Sequence, residues 1–117
     1  MLKVYIIGPT IGFPKLNLET FEKVAKVLVQ NGLEPVVPHY LFHEEENKKG
    51  GLGFYDAMMR RRNALHECKA AVLIAGFSED KFAFLECESA KQMQIPQFRF
   101  DQLELLKSLI KSLDYVK

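Results

Sequence analysis

The sequence lacks most of the features that assign a function to a chain directly. Its only two cysteines, Cys68 and Cys87, are widely spaced, which is neither a C-x-x-C pair nor a disulfide framework. No apolar run approaches the roughly 20 residues of a membrane-spanning helix, and Met1-Leu2-Lys3 leads into a short strand rather than a signal peptide. The formal net charge is only +1. We therefore expect a reduced cytoplasmic protein with no membrane or long nucleic-acid partner.

The common cofactor motifs are missing as well. The segment Gly8-Pro9-Thr10-Ile11-Gly12 does not match G-x-G-x-x-G, no acidic residue ends the second predicted strand, and there is no Walker loop. His39, His43 and Glu44 share one polar segment, but lone histidines in such loops are usually solvated rather than bound to a metal. We therefore expect no dinucleotide, no metal and no other cofactor.

The sequence does contain an alternation of short apolar strands and amphipathic helices. Strands are predicted over residues 2–7, 33–38, 70–75 and 95–100. Helices are predicted from Asn17, a candidate N-cap, to Asn31-Gly32, then over 54–68 and 81–94, with a last helix capped by Asp101. Such an order favours right-handed crossovers and a parallel sheet. The prediction is one α/β domain over residues 1–117, with four or five parallel strands, helices on both faces and a flavodoxin-like or Rossmann-like order.

Two side chains suggest chemistry at a sugar carbon. Tyr5 lies inside the first strand, which ends at Gly8-Pro9, and a buried tyrosine hydroxyl needs a partner. Ligands of open α/β sheets bind outside the carboxyl ends of such strands. Glu86 shares an apolar helix stripe with Ala83 and Ala90, which points it toward the sheet. A carboxylate there can attack an acetal carbon, as in retaining glycosidases; the alternative is a partly exposed glutamate with an ordinary pKa.

Several segments together resemble the nucleoside 2-deoxyribosyltransferase-like superfamily, and most closely its short phage and bacterial members of unassigned function. The resemblance covers most of residues 3–97. Its segments are Tyr5-Ile6-Ile7-Gly8-Pro9, Asn17 at the start of the helix, Val36-Val37-Pro38, Asp56-Ala57-Met58-Met59-Arg60, Leu65-His66-Glu67-Cys68, Ala71-Val72-Leu73, Gly76-Phe77 and Leu85-Glu86-Cys87-Glu88-Ser89-Ala90. It implies that Glu86 attacks the anomeric carbon of a nucleoside or nucleoside monophosphate, in hydrolysis or in transfer of the sugar. It also implies that Tyr5 positions Glu86.

The chain departs from that superfamily at three positions. Lys69 and Arg61 stand where the superfamily usually has aspartates, and Phe82 stands where a glycine is frequent. The aspartates hold the sugar hydroxyls and help to protonate the leaving base, a contribution typically worth about 10²–10⁴-fold in rate. The alternative function is therefore a catalytically impaired nucleotide-binding or sensing protein on the same fold.

The remaining candidate residues concern an anionic group of the ligand. Arg61 lies in the run Arg60-Arg61-Arg62, which is either a solvated basic face or a source of one inward guanidinium. An inward Arg61, with Lys69 and Lys81 nearby, is expected to bind phosphate. In another arrangement Arg61 pairs with Glu86 and depresses the pKa of that carboxyl. The sugar or phosphate is expected to approach Gly8, Pro9 and the 76–81 loop, which includes Gly76 and Ser78.

The helices carry more apolar surface than one core is expected to bury. Met58 and Met59 are adjacent on the 54–68 helix and cannot both face one core, and Leu105 lies off the main line of the last helix. That line is Leu103, Leu106, Leu109, Ile110 and Leu113. The surplus predicts a homodimer or larger homo-oligomer with the 54–68 helix in the interface. The alternative is a monomer that buries all of these residues.

Overall fold

The structure is a computed structural model that describes residues 2–41 and 54–108, with the side chains of residues 54 and 55 left out of the description. Its strands are β1 (Lys3–Ile7), β2 (Glu34–Val36), β3 (Ala70–Leu73) and β4 (Gln97–Arg99). Its helices are α1 (Leu18–Gln30), α2 (Phe54–His66) and α3 (Lys81–Gln92), and residues 103–108 are also helical. Residues 42–53, with His43 and Glu44, and residues 109–117, with Leu109, Ile110 and Leu113, lie outside the described part.

The four strands form one parallel sheet in the order β2-β1-β3-β4. In the register of the sheet, Tyr5 at the centre of β1 lies between Val36 of β2 and Ala71 of β3. This architecture confirms the predicted parallel α/β fold. Within the described residues, no helix is long and apolar enough to cross a membrane.

Alternate residues of β1 face two separate apolar clusters. Val4 and Ile6 pack with Phe21, Val24 and Leu28 of α1, and Leu106 belongs to the same cluster. Tyr5 and Ile7 face the other way, with Leu65 of α2 and Ala83 and Ala90 of α3. Successive strand side chains point to opposite faces, so the pleat of β1 puts Tyr5 on the α2 and α3 side.

The strand order creates a crevice at one edge of the sheet. From β1 the chain passes to β2 on one side, while β3 lies on the other side, so the connections diverge where β1 and β3 end. This is the position at which open α/β sheets bind ligands. Gly8 follows β1 there, and Ile74 follows β3, with its backbone N–H donating to the Ile7 carbonyl at 2.8 Å.

Asn17 stands at the predicted N-cap position of α1, but neither Asn17 nor Asp101 makes a capping hydrogen bond with its side chain. Asn17 has left-handed backbone angles and makes no capping hydrogen bond; its side-chain amide donates instead to the Pro9 carbonyl at 2.9 Å. Lys15 and Leu16 before it are also left-handed, and the Leu16 carbonyl accepts a 2.7 Å hydrogen bond from His39. Asp101 lies within a 3₁₀ turn before the last helix, where it contacts Arg99 rather than capping.

Gly8 is expected to be required for the close approach of β1 and β3. A Cβ atom at this position would lie 2.8 Å from the Ile74 Cβ and 3.1 Å from the Phe21 ring. We expect Gly8→Ala to lower the free energy of unfolding by about 1–3 kcal/mol, the usual cost of overpacking. Urea denaturation measures the loss. Ser78→Ala, at an exposed position, is the control, and an equal effect of the two substitutions would contradict the packing argument.

Candidate functional site

Glu86 is a buried carboxylate on the face of α3 that meets the sheet. The buried residues of α3 are Ala83, Glu86 and Ala90, at spacings of three and four residues, as the sequence predicted. The side chain of Glu86 is almost completely buried, with the residue only 2% exposed. Charged side chains are rarely buried so completely without partners, so its contacts decide what the site can do.

Each carboxylate oxygen of Glu86 contacts a different element of the fold. The Tyr5 hydroxyl on β1 donates a hydrogen bond to Oε2. The Arg61 guanidinium on α2 donates from Nη1 to Oε1 at 3.3 Å and forms an ion pair with the carboxylate. Tyr5 is fully buried and Arg61 is 8% exposed. The structure thus brings together three predicted residues that are far apart in sequence, and Arg61 faces inward instead of lying on a solvated basic face.

Burial dominates the electrostatics of Glu86. Removal from water raises the pKa of its carboxyl to about 7, because desolvation outweighs the opposing effects of the Arg61 charge and the Tyr5 hydrogen bond. The negative charge of Asp80 adds to the increase. Arg61 thus lowers the pKa of Glu86, as the pairing alternative predicted, but burial outweighs this effect and the net pKa is raised. Burial, followed by the charge of Glu86, raises the pKa of the Tyr5 hydroxyl well above its usual value, so Tyr5 is a proton donor at neutral pH.

The aromatic ring of Phe82 packs against the guanidinium of Arg61. The Arg61 Cζ atom lies 4.5 Å from the centroid of the Phe82 ring, which is the geometry of a cation–π interaction. Arg61 and Phe82 are two of the three departures from the superfamily pattern, and they contact each other. They therefore act as one structural unit beside Glu86 rather than as independent substitutions.

Asp80 fixes the loop that follows β1 to the beginning of α3. Its Oδ1 atom accepts from the backbone N–H of Ala83 at 3.0 Å and so caps α3. Its Oδ2 atom accepts from the backbone N–H groups of Thr10 and Ile11 at 2.7 and 3.0 Å, and from the Thr10 hydroxyl at 3.2 Å. Burial by itself raises the pKa of Asp80, but these hydrogen bonds outweigh it and the net pKa is lowered.

A cleft of about 340 Å³ lies at the carboxyl edge of the sheet. Three predicted binding residues line it, Pro9, Gly76 and Lys81, together with Ile11, Phe13, Ala75, Glu79 and Asp80. The side chains of Ile11 and Phe13 are substantially exposed, so the cleft has an apolar wall and a charged wall. A cleft of this kind suits a ligand that combines a planar apolar group with a polar or charged group.

The residues that line this cleft do not include Tyr5, Arg61 or Glu86, so the structure does not group Pro9, Gly76 and Lys81 with the carboxylate. The remaining predicted binding residues lie elsewhere. Gly8 is buried beneath the cleft against Ile74 and Phe21, and Ser78 is exposed on the turn Phe77–Glu79. Lys69 precedes β3 and therefore lies at the opposite, amino edge of the sheet, where it lines a second cleft with residues such as His66 and Met93. Lys69 is thus separated from the residues at the carboxyl edge.

Asp80 and Thr10 are the site residues that the sequence did not predict. The position of Asp80, directly before an amphipathic helix, is a recognisable N-cap signal. Its contacts with Thr10 and Ile11 join residues about 70 positions apart, and no local sequence pattern predicts such contacts. Among the described residues, no three potential ligands of the His, Cys, Asp and Glu types cluster in a way that could hold a metal ion.

The burial of Glu86 predicts a specific dependence of stability on pH. The folded protein holds a proton on Glu86 up to about pH 7, whereas the usual pKa is 4.5, so the folded state binds more protons between these values. The contribution of Glu86 protonation to the free energy of unfolding is therefore fully present below pH 4.5. It is lost as the pH rises through 7, which lowers the free energy of unfolding by on the order of 3 kcal/mol. Urea denaturation of Glu86→Gln, whose side chain does not titrate, should lack this decrease.

The matched control is Glu88→Gln, at an exposed position on the same helix, which should retain the decrease. Burial lowers the pKa of His39, and this acts in the opposite direction in part of the same pH range. His39 is present in every variant, so its effect cancels when the curves are subtracted. Parallel curves for the native protein and Glu86→Gln would contradict the prediction.

Comparison with known proteins gives one family assignment and no activity. No curated protein matches the chain significantly. Residues 2–97, which include β1, β2, β3 and the first residue of β4 as well as Tyr5, Arg61 and Glu86, match the family described as Domain of unknown function (DUF4406). Because the match covers most of the chain, the protein belongs to the DUF4406 family.

Proposed function

We propose that this protein is a cytoplasmic enzyme that cleaves or transfers the N-glycosidic bond of a nucleoside or nucleoside monophosphate. Glu86 is the nucleophile, and Tyr5 is the positioning residue that orients it. The observation that carries the proposal is the buried hydrogen bond from the Tyr5 hydroxyl to Glu86 Oε2. The resemblance of the chain to the nucleoside 2-deoxyribosyltransferase-like superfamily assigns the same two roles to the same two residues.

The proposed reaction has two steps. A carboxylate oxygen of Glu86 bonds to the anomeric carbon of the sugar as the bond from that carbon to the base nitrogen breaks. The bonding electron pair leaves with the base nitrogen, which takes up a proton from water. Water then attacks the glycosyl ester, which releases the sugar and regenerates the carboxylate; in transfer, a second base replaces water.

The protonation state of Glu86 sets the pH dependence of such a reaction. Only the carboxylate is a nucleophile, and with a pKa of about 7 the side chain is half ionised at neutral pH. The rate of the first step is therefore expected to rise as the pH increases through 7. Tyr5 stays protonated over this range because its own pKa is raised, so the hydrogen bond that orients Glu86 persists.

A second candidate function is nucleotide binding without turnover. The contact of Arg61 with the other oxygen of Glu86, and the burial of the carboxylate, favour this function because both oxygens are engaged. The position of Lys69 at the opposite edge of the sheet also leaves the site without a replacement for one of the superfamily's acids. In this case the ligand binds beside Arg61, and the fold serves as a sensor.

Turnover by variants at Glu86 and Tyr5 separates the two candidates. A panel of nucleosides and nucleoside monophosphates is first screened by thermal shift, because a ligand that binds the native state raises its melting temperature. Release of free base is then measured by chromatography. We expect Glu86→Ala to abolish release and Tyr5→Phe to lower kcat by about 10²-fold, with the fold intact by circular dichroism.

Glu88→Gln is the control and should retain full activity. Undiminished base release by Glu86→Ala would refute the assignment of the nucleophile. Stabilisation by a ligand without base release from the native protein would support the binding function instead.

We also propose that the protein forms a homodimer or larger homo-oligomer through the surface of α2 and α3. Met59 of α2 and Phe84 of α3 are 38% and 51% exposed, and these two helices pack against each other on the same face of the sheet. Leu105 near the carboxyl end is also exposed. Apolar side chains of this size on adjacent helices favour burial against a second copy.

Light scattering at micromolar concentration tests the assembly. We expect a mass that is a multiple of 13.5 kDa, and we expect Met59→Lys to shift the mass toward the monomer because it places a charge in the apolar contact. Val29→Lys, at an exposed apolar position on α1 on the opposite face, is the control. A mass near 13.5 kDa for the native protein would overturn the proposal.

A further inference from the structure

Three consecutive residues between β1 and α1 have left-handed backbone angles. Lys15, Leu16 and Asn17 have φ values of 51°, 55° and 64°. None of them is a glycine, and this conformation costs free energy at each residue because its Cβ atom crowds a carbonyl oxygen. Such residues keep their conformation only where the surrounding structure holds it. The contacts of this left-handed segment therefore decide the conformation of the loop.

Two side chains hold the left-handed segment in place. The amide of Asn17 donates to the Pro9 carbonyl at 2.9 Å, and Nε2 of His39 lies 2.7 Å from the Leu16 carbonyl oxygen. Because a carbonyl oxygen can only accept, Nε2 of His39 carries a proton and donates it to this hydrogen bond. His39 belongs to the short turn Pro38–Leu41 that follows β2. The hydrogen bond thus ties the loop after β1 to the end of the neighbouring strand.

The second ring nitrogen of His39 makes this contact sensitive to protonation. With the proton on Nε2, the neutral imidazole has an unprotonated Nδ1, which is buried and has no hydrogen-bond partner among the described residues. The ring also packs edge-on against Phe21, with the ring centroids 4.6 Å apart. Protonation would place an N–H group and a positive charge where neither an acceptor nor solvent meets them, which is unfavourable.

The charged groups around His39 do not reverse this effect. Burial lowers the pKa of His39; the contact with Leu16 and the charge of Glu22 on α1 oppose the decrease, and the charge of Arg61 on α2 adds to it. The net pKa is below the usual 6.5. Because the side chain is only partly buried and its neighbour Tyr40 is exposed, a protonated imidazole can reach solvent by rotating away from the Leu16 carbonyl.

The other end of the loop is held by a contact that does not respond in the same pH range. Asp80 accepts hydrogen bonds from the backbone N–H groups of Thr10 and Ile11. Burial alone raises the pKa of Asp80, but its hydrogen bonds lower the net value, so it stays ionised in mild acid. Phe13 lies between the two contacts: its N–H donates to the Thr10 carbonyl at 3.2 Å, and its carbonyl accepts from Leu16 at 3.0 Å.

We propose that His39 is a pH-sensitive clamp that holds Phe13 in the wall of the cleft at the carboxyl edge while its imidazole is neutral and releases Phe13 when the imidazole is protonated. In the released form the left-handed segment relaxes and Phe13 leaves the wall, whereas Ile11, which lines the same cleft, stays fixed by Asp80. His39 is a positioning residue. The inference does not rest on the proposed function, since it concerns any ligand that contacts Phe13 in this cleft.

A single tryptophan can report the position of Phe13, because the chain contains no tryptophan of its own. Phe13 is 46% exposed, so Phe13→Trp leaves room for the larger ring. As the pH falls from about 8 to about 5, we expect the fluorescence of this variant to shift to longer wavelength and acrylamide to quench it faster. Ile11→Trp, on the same wall but held by Asp80, is the matched control and should change much less.

Two substitutions of His39 separate its hydrogen bond from its titration. His39→Gln keeps an N–H donor at the end of the side chain and does not titrate, so in this background the fluorescence of Phe13→Trp should keep its value of pH 8 down to pH 5. His39→Leu has no donor and should give the released fluorescence at both pH values. Glu86 titrates in the same range but is retained in every variant, so its effect would appear equally with His39→Gln.

The other two histidines test whether the transition belongs to His39. His66 lines the cleft at the amino edge of the sheet, and His43 lies outside the described residues. The double variant His43→Gln, His66→Gln leaves His39 as the only histidine and should keep the whole transition. Nuclear magnetic resonance gives the same test on the native protein: the amide signal of Leu16 should titrate together with the His39 imidazole, and that of Ile11 should not.

The proposal is overturned if the fluorescence of Phe13→Trp does not change with pH, if the change persists with His39→Gln, or if His39→Leu keeps the fluorescence of the clamped form at pH 8. An equal response of Ile11→Trp would also overturn it, because the loop would then move as a whole. Circular dichroism and melting temperature establish that each variant is folded, and the titration of the native protein decides where a variant is not. None of these outcomes depends on base release, so the proposed function is tested separately.

Discussion

The arrangement of this protein depends on one buried carboxylate. Glu86 is placed among apolar side chains by the spacing of α3, and such a position is unfavourable for a charge unless polar groups surround it. Tyr5 and Arg61 supply those groups from β1 and α2. The same contacts tie two helices to the central strand, so the position of α2 relative to α3 is set partly by polar chemistry. A group that is costly to bury has in this way become a link between three elements.

The fold could be predicted from the sequence because its strands and its helices have different patterns of apolar residues. Short apolar runs mark strands that are buried on both faces, and β1 and β3 are of this kind. Apolar residues spaced by three and four mark the helices, and the same spacing placed Glu86 and Arg61 on inward faces. The ends of the elements were less predictable: Asn17 and Asp101 are residues that commonly cap helices, but the caps depend on which backbone groups the tertiary structure leaves unsatisfied.

The candidate site was predictable only in part. The sequence indicates which face of a helix or strand a side chain lies on, but not how completely the folded domain buries that side chain. The pKa of Glu86 illustrates this: an adjacent arginine suggested a lower value, and the extent of burial, which reverses the result, is a property of the whole packed domain. The grouping of Lys69 with Arg61 was a different error. Lys69 directly precedes β3 and therefore lies at the amino edge of the sheet. The predicted parallel topology was sufficient to place it there, away from the carboxyl edge where ligands bind.

The contacts of Asp80 have a consequence for how this fold can evolve. In many nucleotide-binding domains the beginning of a helix and its neighbouring loop offer backbone N–H groups to phosphate. Here a carboxylate of the protein itself already occupies those donors from Thr10, Ile11 and Ala83. An external anion cannot use these three donors unless it displaces Asp80, so side chains, which single substitutions can change, gain weight in ligand binding over backbone groups, which are common to every sequence with the same fold. Ligand preference among relatives that keep this aspartate is accordingly free to diverge quickly while the backbone stays the same.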